Sequence, residues 1–151
     1  MPHIPLEEHL PGITGLLEYR KDTAAPIRAL TQLLSRSPST LSEGERELIA
    51  SFVSSRNECI FCTTAHYTAA NIFLGEKETC ELVKQDFTTA PISEKLKTLL
   101  NIASLAQING NRVTPEAIQL AKNAGASDQE IHDTVLLTRL IIFPWVNGWA
   151  R

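Results

Sequence analysis

The stretch 41–74, LSEGERELIASFVSSRNECIFCTTAHYTAANIFL, holds two helix signals with a weak point between them. Ser42 followed by Glu45 is a capping box, in which each residue's side chain satisfies the other's backbone N–H. Leu48, Ile49, Phe52 and Val53 then recur at the spacing of one buried helix face. The run Ser54-Ser55-Arg56-Asn57 should interrupt that helix. A second helix is expected from Asn57 or Glu58 to the region Phe73–Gly75, where glycine supplies a stop. Two helices joined by so short a break fold back on each other as a hairpin.

Working outward, the apolar spacing is helical almost everywhere, with no sustained period-two alternation. Residues 1–22 contain Pro2, Pro5, Pro11, Gly12 and Gly15 and read as an extended lead-in. Pro26 suits a first helical turn, with Ile27, Leu30, Leu33 and Leu34 forming a stripe that ends near Ser37-Pro38. Beyond the hairpin, a short helix fits residues 77–85. Ser93 caps a longer one with Leu96, Leu99, Leu100, Ala103 and Ala106 inward. Thr114-Pro115-Glu116 starts another, closed by Gly125, and Ser127–Glu130 is a further capping box leading toward Pro144. The expected architecture is all-α, one domain over 1–151, with about seven helices. The run 135–146, VLLTRLIIFPWV, is almost continuously apolar rather than amphipathic, which predicts a central position or burial by another subunit.

Composition narrows the function classes. A chain of 151 residues is long enough to bury a core, and a net charge of −3 gives no reason to expect nucleic acid or an anionic membrane as partner. No apolar run approaches the ~20 residues of a membrane span. The opening MPHIPLEEHLPG lacks the basic and apolar regions of a signal peptide, so the expected location is cytoplasmic. Structural disulfides are rare there, and paired cysteines are more often redox-active or metal-binding.

Cys59, Cys62 and His66 are spaced three and four residues apart, so on a helix they share a face on consecutive turns. Two thiols so placed can form a disulfide. The start of a helix favours a thiolate there, through free N–H groups and the helix dipole. His66, one turn beyond Cys62, can take up the thiol proton. A thiolate is the nucleophile in both peroxide reduction and thiol–disulfide exchange. On one straight helix Glu47 would stand ~18 Å from Cys59, at ~1.5 Å per residue. The hairpin instead brings it beside His66, where a carboxylate orients the ring and stabilises its charged form. A histidine–thiolate pair shifts a cysteine further than the ~0.3–1 kcal/mol of a helix dipole, which points to Cys62 as the attacking sulfur and Cys59 as the resolving one.

Blander readings exist for each residue. A single C-x-x-C is half a zinc site, with Cys80 the chain's remaining cysteine, or else a pair of inert core thiols. The corresponding alternative function is a non-catalytic structural or metal-stabilised oligomeric module. Cys80 itself reads as structural. His3, His9 and His132 read as surface or local hydrogen-bonding residues, and Trp145 and Trp149 as packing or interface anchors. The sequence calls for no cofactor and no metal.

The pattern Glu47-x11-Cys59-x2-Cys62-x3-His66 resembles the signature of the alkylhydroperoxidase D-like proteins of the carboxymuconolactone decarboxylase superfamily. The likeness is strong over 41–74 and looser over the rest, including PGITGLLEYR and AKNAGASDQEIHDTV. It implies an all-helical fold assembled as a homo-oligomer, a trimer or a hexamer of paired trimers. It also implies an antioxidant dithiol peroxidase or disulfide reductase. Its substrate would be a hydroperoxide, and its reductant a lipoyl protein, a thioredoxin-like protein or a small thiol. Cys62 would attack the peroxide, Cys59 would resolve the sulfenic acid, and Glu47 with His66 would form the proton relay. One position departs from the pattern: the best-known member has a histidine immediately before the second cysteine, where this chain has Phe61. Decarboxylases of the superfamily lack the C-x-x-C, so its presence argues against lactone decarboxylation.

Overall fold

The structure, a computed structural model, describes residues 4–142. It is all-helical, and the helices in chain order are α1 (Ile13–Tyr19), α2 (Lys21–Arg36), α3 (Glu43–Arg56), α4 (Ile60–Leu74), α5 (Glu78–Asp86), α6 (Glu94–Ile108), α7 (Pro115–Asn123) and α8 (Asp128–Ile142). A single 3-10 turn, Gly110–Arg112, links α6 to α7. No strand occurs among the described residues, and no helix there is long and apolar enough to cross a membrane. Trp145, Trp149, Pro144 and His3 lie outside the described residues, as does the end of the apolar run 135–146.

Two sequence expectations need correction at the N-terminus. The lead-in is not extended throughout, because α1 occupies Ile13–Tyr19 and raises the helix number from seven to eight. Four of the five breakers precede residue 13, which leaves ITGLLEY free to coil and bury Leu17. Pro26 does not open its helix but sits inside α2. An earlier turn is held by Asp22, which accepts from the Arg20 guanidinium at 3.0 and 3.1 Å and from the Thr23 backbone N–H at 3.0 Å. Proline removes the bond that would have reached the Asp22 carbonyl, and at this exposed position water can replace it.

The helix α3 is the centre of the fold. The Ser42–Glu45 capping box opens it, and every residue from Arg46 to Ser54 is buried, not only the four apolar residues of the expected face. It packs against α2, α4, α5, α6 and α8. Its two buried charged residues, Arg46 and Glu47, have partners, whereas the Ser54 hydroxyl has none among the described residues. Arg46 Nη1 donates to the carbonyls of Leu34 at 3.2 Å and Ser37 at 2.9 Å, satisfying acceptors that the end of α2 leaves open. Much of the remaining core comes from the inward faces of α6, α7 and α8, with Leu99, Leu100, Ile102 and Ala103 fully enclosed, and α5 adds Cys80 and Val83. Ser93 caps α6 and Thr114 caps α7, while the Ser127–Glu130 box opens α8. Glu130 is shared further, accepting from Lys95 and Thr40 at 2.8 Å each.

The α3–α4 hairpin is tight because Gly44 lets the end of α4 come close. A Cβ at this position would stand 2.7 Å from Leu74 Cδ2, 2.9 Å from its Cγ and 3.2 Å from its backbone nitrogen. Gly44→Ala should therefore destabilise the protein by about 1–3 kcal/mol through overpacking, outweighing alanine's better helix propensity. Urea unfolding checks this; a variant as stable as the wild type means the two helices part without cost.

Candidate functional site

The turn between α3 and α4 consists of Asn57, Glu58 and Cys59. Its amides close back on α3: Asn57 N–H to the Val53 carbonyl at 3.0 Å, Glu58 to Ser55 at 3.1 Å and Cys59 to Ser54 at 3.2 Å. Glu58 has φ 56°, a left-handed conformation unusual for a side-chain-bearing residue. Gln107 on α6 anchors the turn through a 2.6 Å bond to Asn57 Oδ1. A helix cannot run through Glu58 in that conformation, so α4 begins at Ile60 rather than at residue 57 or 58. Cys59 is consequently the N-cap residue, and its sulfur accepts the Cys62 backbone N–H at 3.3 Å. Cys59 and Cys62 are joined as a disulfide, with their Cα atoms 5.4 Å apart.

The hairpin brings Glu47 across to His66. Glu47 Oε2 lies 2.7 Å from His66 Nδ1, and the carboxylate side chain is only 5% exposed. The other oxygen, Oε1, accepts from Arg36 Nη2 at 2.5 Å. Burial alone would raise the Glu47 pKa, but the hydrogen bond and charge of His66, followed by those of Arg36, outweigh it and hold the carboxyl below its ordinary range. An ionised carboxylate only accepts, so Nδ1 is assigned the proton and Nε2 of a neutral ring keeps its lone pair.

Arg36 escaped the sequence reading. It is a basic residue in the last turn of a helix, where cations are common because the helix dipole favours them. Nothing in the spacing distinguishes it from that ordinary role.

Cys62 and His66 open onto a cavity of about 440 Å³, whereas Cys59 is not part of its lining. The walls are mainly apolar: Ile13 and Leu17 from α1, Ile27 from α2, Phe61 from α4, and Leu137, Leu140 and Ile141 from α8. Part of the apolar face of α8 thus lines this cavity within one chain. Phe61 supports the N-terminal segment: a Cβ at Gly12 would come within 2.7 Å of its Cε1, and Gly12 also has φ 55°. This position offers an apolar wall in place of a further proton-carrying group.

Cys80 lies apart, 2% exposed on α5, with its thiol pushed up to about 11 by burial and, secondarily, by the charge of Glu76. His9 is exposed with its ring 3.5 Å from Glu7, and His132 is 2.9 Å from its neighbour Asp133. No group of three or more His, Cys, Asp and Glu residues placed to hold a metal ion occurs among the described residues.

The lowered Glu47 pKa has a pH consequence. The stabilisation is fully present above the ordinary glutamate value of 4.5 and is lost as pH falls through the lower folded value. Glu47→Gln should be less stable than the wild type by about 1–3 kcal/mol at neutral pH, since it leaves two donors poorly matched. That difference should shrink in acid as the wild-type carboxyl takes up its proton. Denaturant midpoints across the acid range provide the check, and a constant difference overturns it.

No protein-family model matches this chain, and no curated protein matches it. Solved structures do. The crystal structure of the alkylhydroperoxidase AhpD core, a peroxidase-related protein from Ralstonia eutropha JMP134, superposes with a TM-score of 0.79 at 22% identity, covering 87% of this chain and 69% of that one. A peroxidase-related protein from Silicibacter sp. TM1040 superposes at 0.76 with 24% identity, covering 84% of this chain and 68% of that one. The chain therefore has the alkylhydroperoxidase D-like fold, with its C-x-x-C pair at the start of α4.

Proposed function

We propose that this protein is a dithiol peroxidase that reduces organic hydroperoxides in antioxidant defence and is returned to its dithiol form by an external thiol. The observation that carries the reading is the shared opening of Cys62 and His66 onto an apolar cavity, with His66 held from behind by Glu47. In the reduced state, Cys62 passes its proton to His66 and attacks the terminal oxygen of ROOH. The O–O bond breaks, Cys62 becomes a sulfenic acid, and His66 returns the proton to the departing alkoxide as ROH. Cys59 then attacks the Cys62 sulfur, forming the disulfide and releasing water. A dithiol such as a lipoyl or thioredoxin-like partner, or two small thiols, restores both cysteines by exchange and is itself oxidised.

The division of labour follows from placement. His66 is one turn from Cys62 on α4, while Cys59 sits at the N-cap outside the cavity, available to a partner thiol. As part of the same proposal, the protein acts in the cytoplasm as a homo-oligomer, trimeric or hexameric, built partly on the apolar C-terminal run 135–146. On α4, Ile60 is 84% exposed and Ile72 71% exposed, which adds apolar surface that a second copy of the chain would cover in such an assembly.

Reduced Cys59→Ser should consume one equivalent of an organic hydroperoxide and leave a trappable sulfenic acid on Cys62. Cys62→Ser should react no faster than an ordinary exposed thiol. A fast first turnover in Cys62→Ser reverses the two roles, and a slow one in the wild type removes the peroxidase reading. Light scattering at micromolar concentration should give three or six times the 16.7 kDa chain mass. A monomer overturns the assembly.

A further inference from the structure

Glu47 has two oxygens and two different cationic partners. His66 takes Oε2 and Arg36 takes Oε1. The guanidinium of Arg36 is itself fixed from several sides. It lies 4.7 Å from the Phe73 ring centroid, its Nη1 donates to the Ser35 carbonyl at 2.9 Å, and its Nε stands 3.5 Å from Glu43. A long surface arginine paired loosely to a carboxylate would show none of this. We propose that Arg36 is a positioning residue for the redox site, taking a share of the Glu47 charge so that His66 can release its proton as well as accept it.

The inference rests on the reading above, in which His66 carries a proton from Cys62 to the leaving alkoxide. Such a group works best when its two protonation states are close in free energy at the working pH. A buried carboxylate bonded to the ring alone favours the imidazolium, which would accept a proton readily and return it poorly. A permanent cation on the opposite oxygen weakens that pull, and arginine stays charged at any physiological pH. Holding Oε1 also fixes the carboxylate plane so that Oε2 faces the ring. The other charged groups nearby leave this arrangement intact. Arg46, beside Glu47 on α3, is turned onto the Leu34 and Ser37 carbonyls, and Glu43 faces Arg36. Across the cavity, Arg28 on α2 is paired with Glu18 at 2.5 Å, and α8 presents Leu137, Leu140 and Ile141.

The test is an NMR titration of the histidine ring protons in the full chain, as wild type, Arg36→Met, Arg36→Gln and Arg36→Lys. Removing the charge should raise the His66 midpoint by about half a pH unit or more in both the Met and Gln variants. Lysine should restore most of it, while His9 and His132 stay where they are. Glutamine keeps a hydrogen-bond donor for Glu47 and so serves if the methionine variant does not fold. A purely structural Arg36 would lower the melting temperature and leave the His66 midpoint unchanged; that result, or a lowered midpoint, overturns the proposal. Single-turnover hydroperoxide rates on the same proteins should show their acid limb moving upward by the same amount. If the wild type reduces no hydroperoxide, the peroxidase reading fails, while the role of Arg36 is still decided by the His66 midpoint.

Discussion

A carboxylate removed from water must find donors or cations, and Glu47 finds them on two helices other than its own. His66 comes from α4 and Arg36 from α2, so a single buried charge ties three helices together at fixed distances. Breaking either partnership leaves an incompletely matched ion in the interior, which typically costs more than an exposed ion pair contributes. This constraint orders much of what surrounds it. The turn at 57–59 must reverse the chain sharply enough to return α4 alongside α3, and the left-handed Glu58 accomplishes that within three residues. Gly44 then allows the far end of the hairpin to close.

The same constraint explains why the central helix is not the most apolar one. Residues 135–142 of α8 are apolar apart from Thr138 and Arg139, yet it is α3 that is enclosed from Arg46 to Ser54 while carrying Arg46, Glu47, Ser51 and Ser54. Burial here follows partnership as much as hydropathy. Arg46 and Glu47, adjacent in sequence, both reach the end of α2, one through backbone carbonyls and the other through Arg36. The last turn of α2 is therefore held by polar contacts, while its outward Leu33 stays 60% exposed.

What the sequence made legible was local. Capping boxes at Ser42 and Ser127, the caps Ser93 and Thr114, and the stripe on α6 are set by residues within a few positions of one another, and the structure has them there. The meeting of Glu47 with His66 was also accessible, because one hairpin and a short break fix the geometry of both. Arg36 was not, since its link to Glu47 crosses the loop between α2 and α3 and depends on tertiary packing. Nor was the exact start of α4. The conformation of Glu58 has no local signature, as glutamate rarely adopts positive φ and only the surrounding bonds hold it there. The helix α1 was missed because the density of prolines ahead of it was extended a few residues too far.

Cys80 bears on the electron inventory of the molecule. The chain has three cysteines, but the Cys80 thiol is sealed in the core and stays protonated far above neutral pH. The accessible sulfur chemistry is therefore confined to one adjacent pair on α4. Each folded chain can hold a single two-electron charge, given up when its disulfide forms and regained when the disulfide is reduced. With no third reactive thiol to intercept it, a sulfenic acid or mixed disulfide at this pair has one intramolecular exit. Mispairing would require opening the core, so the state of charge stays an all-or-none property of the fold.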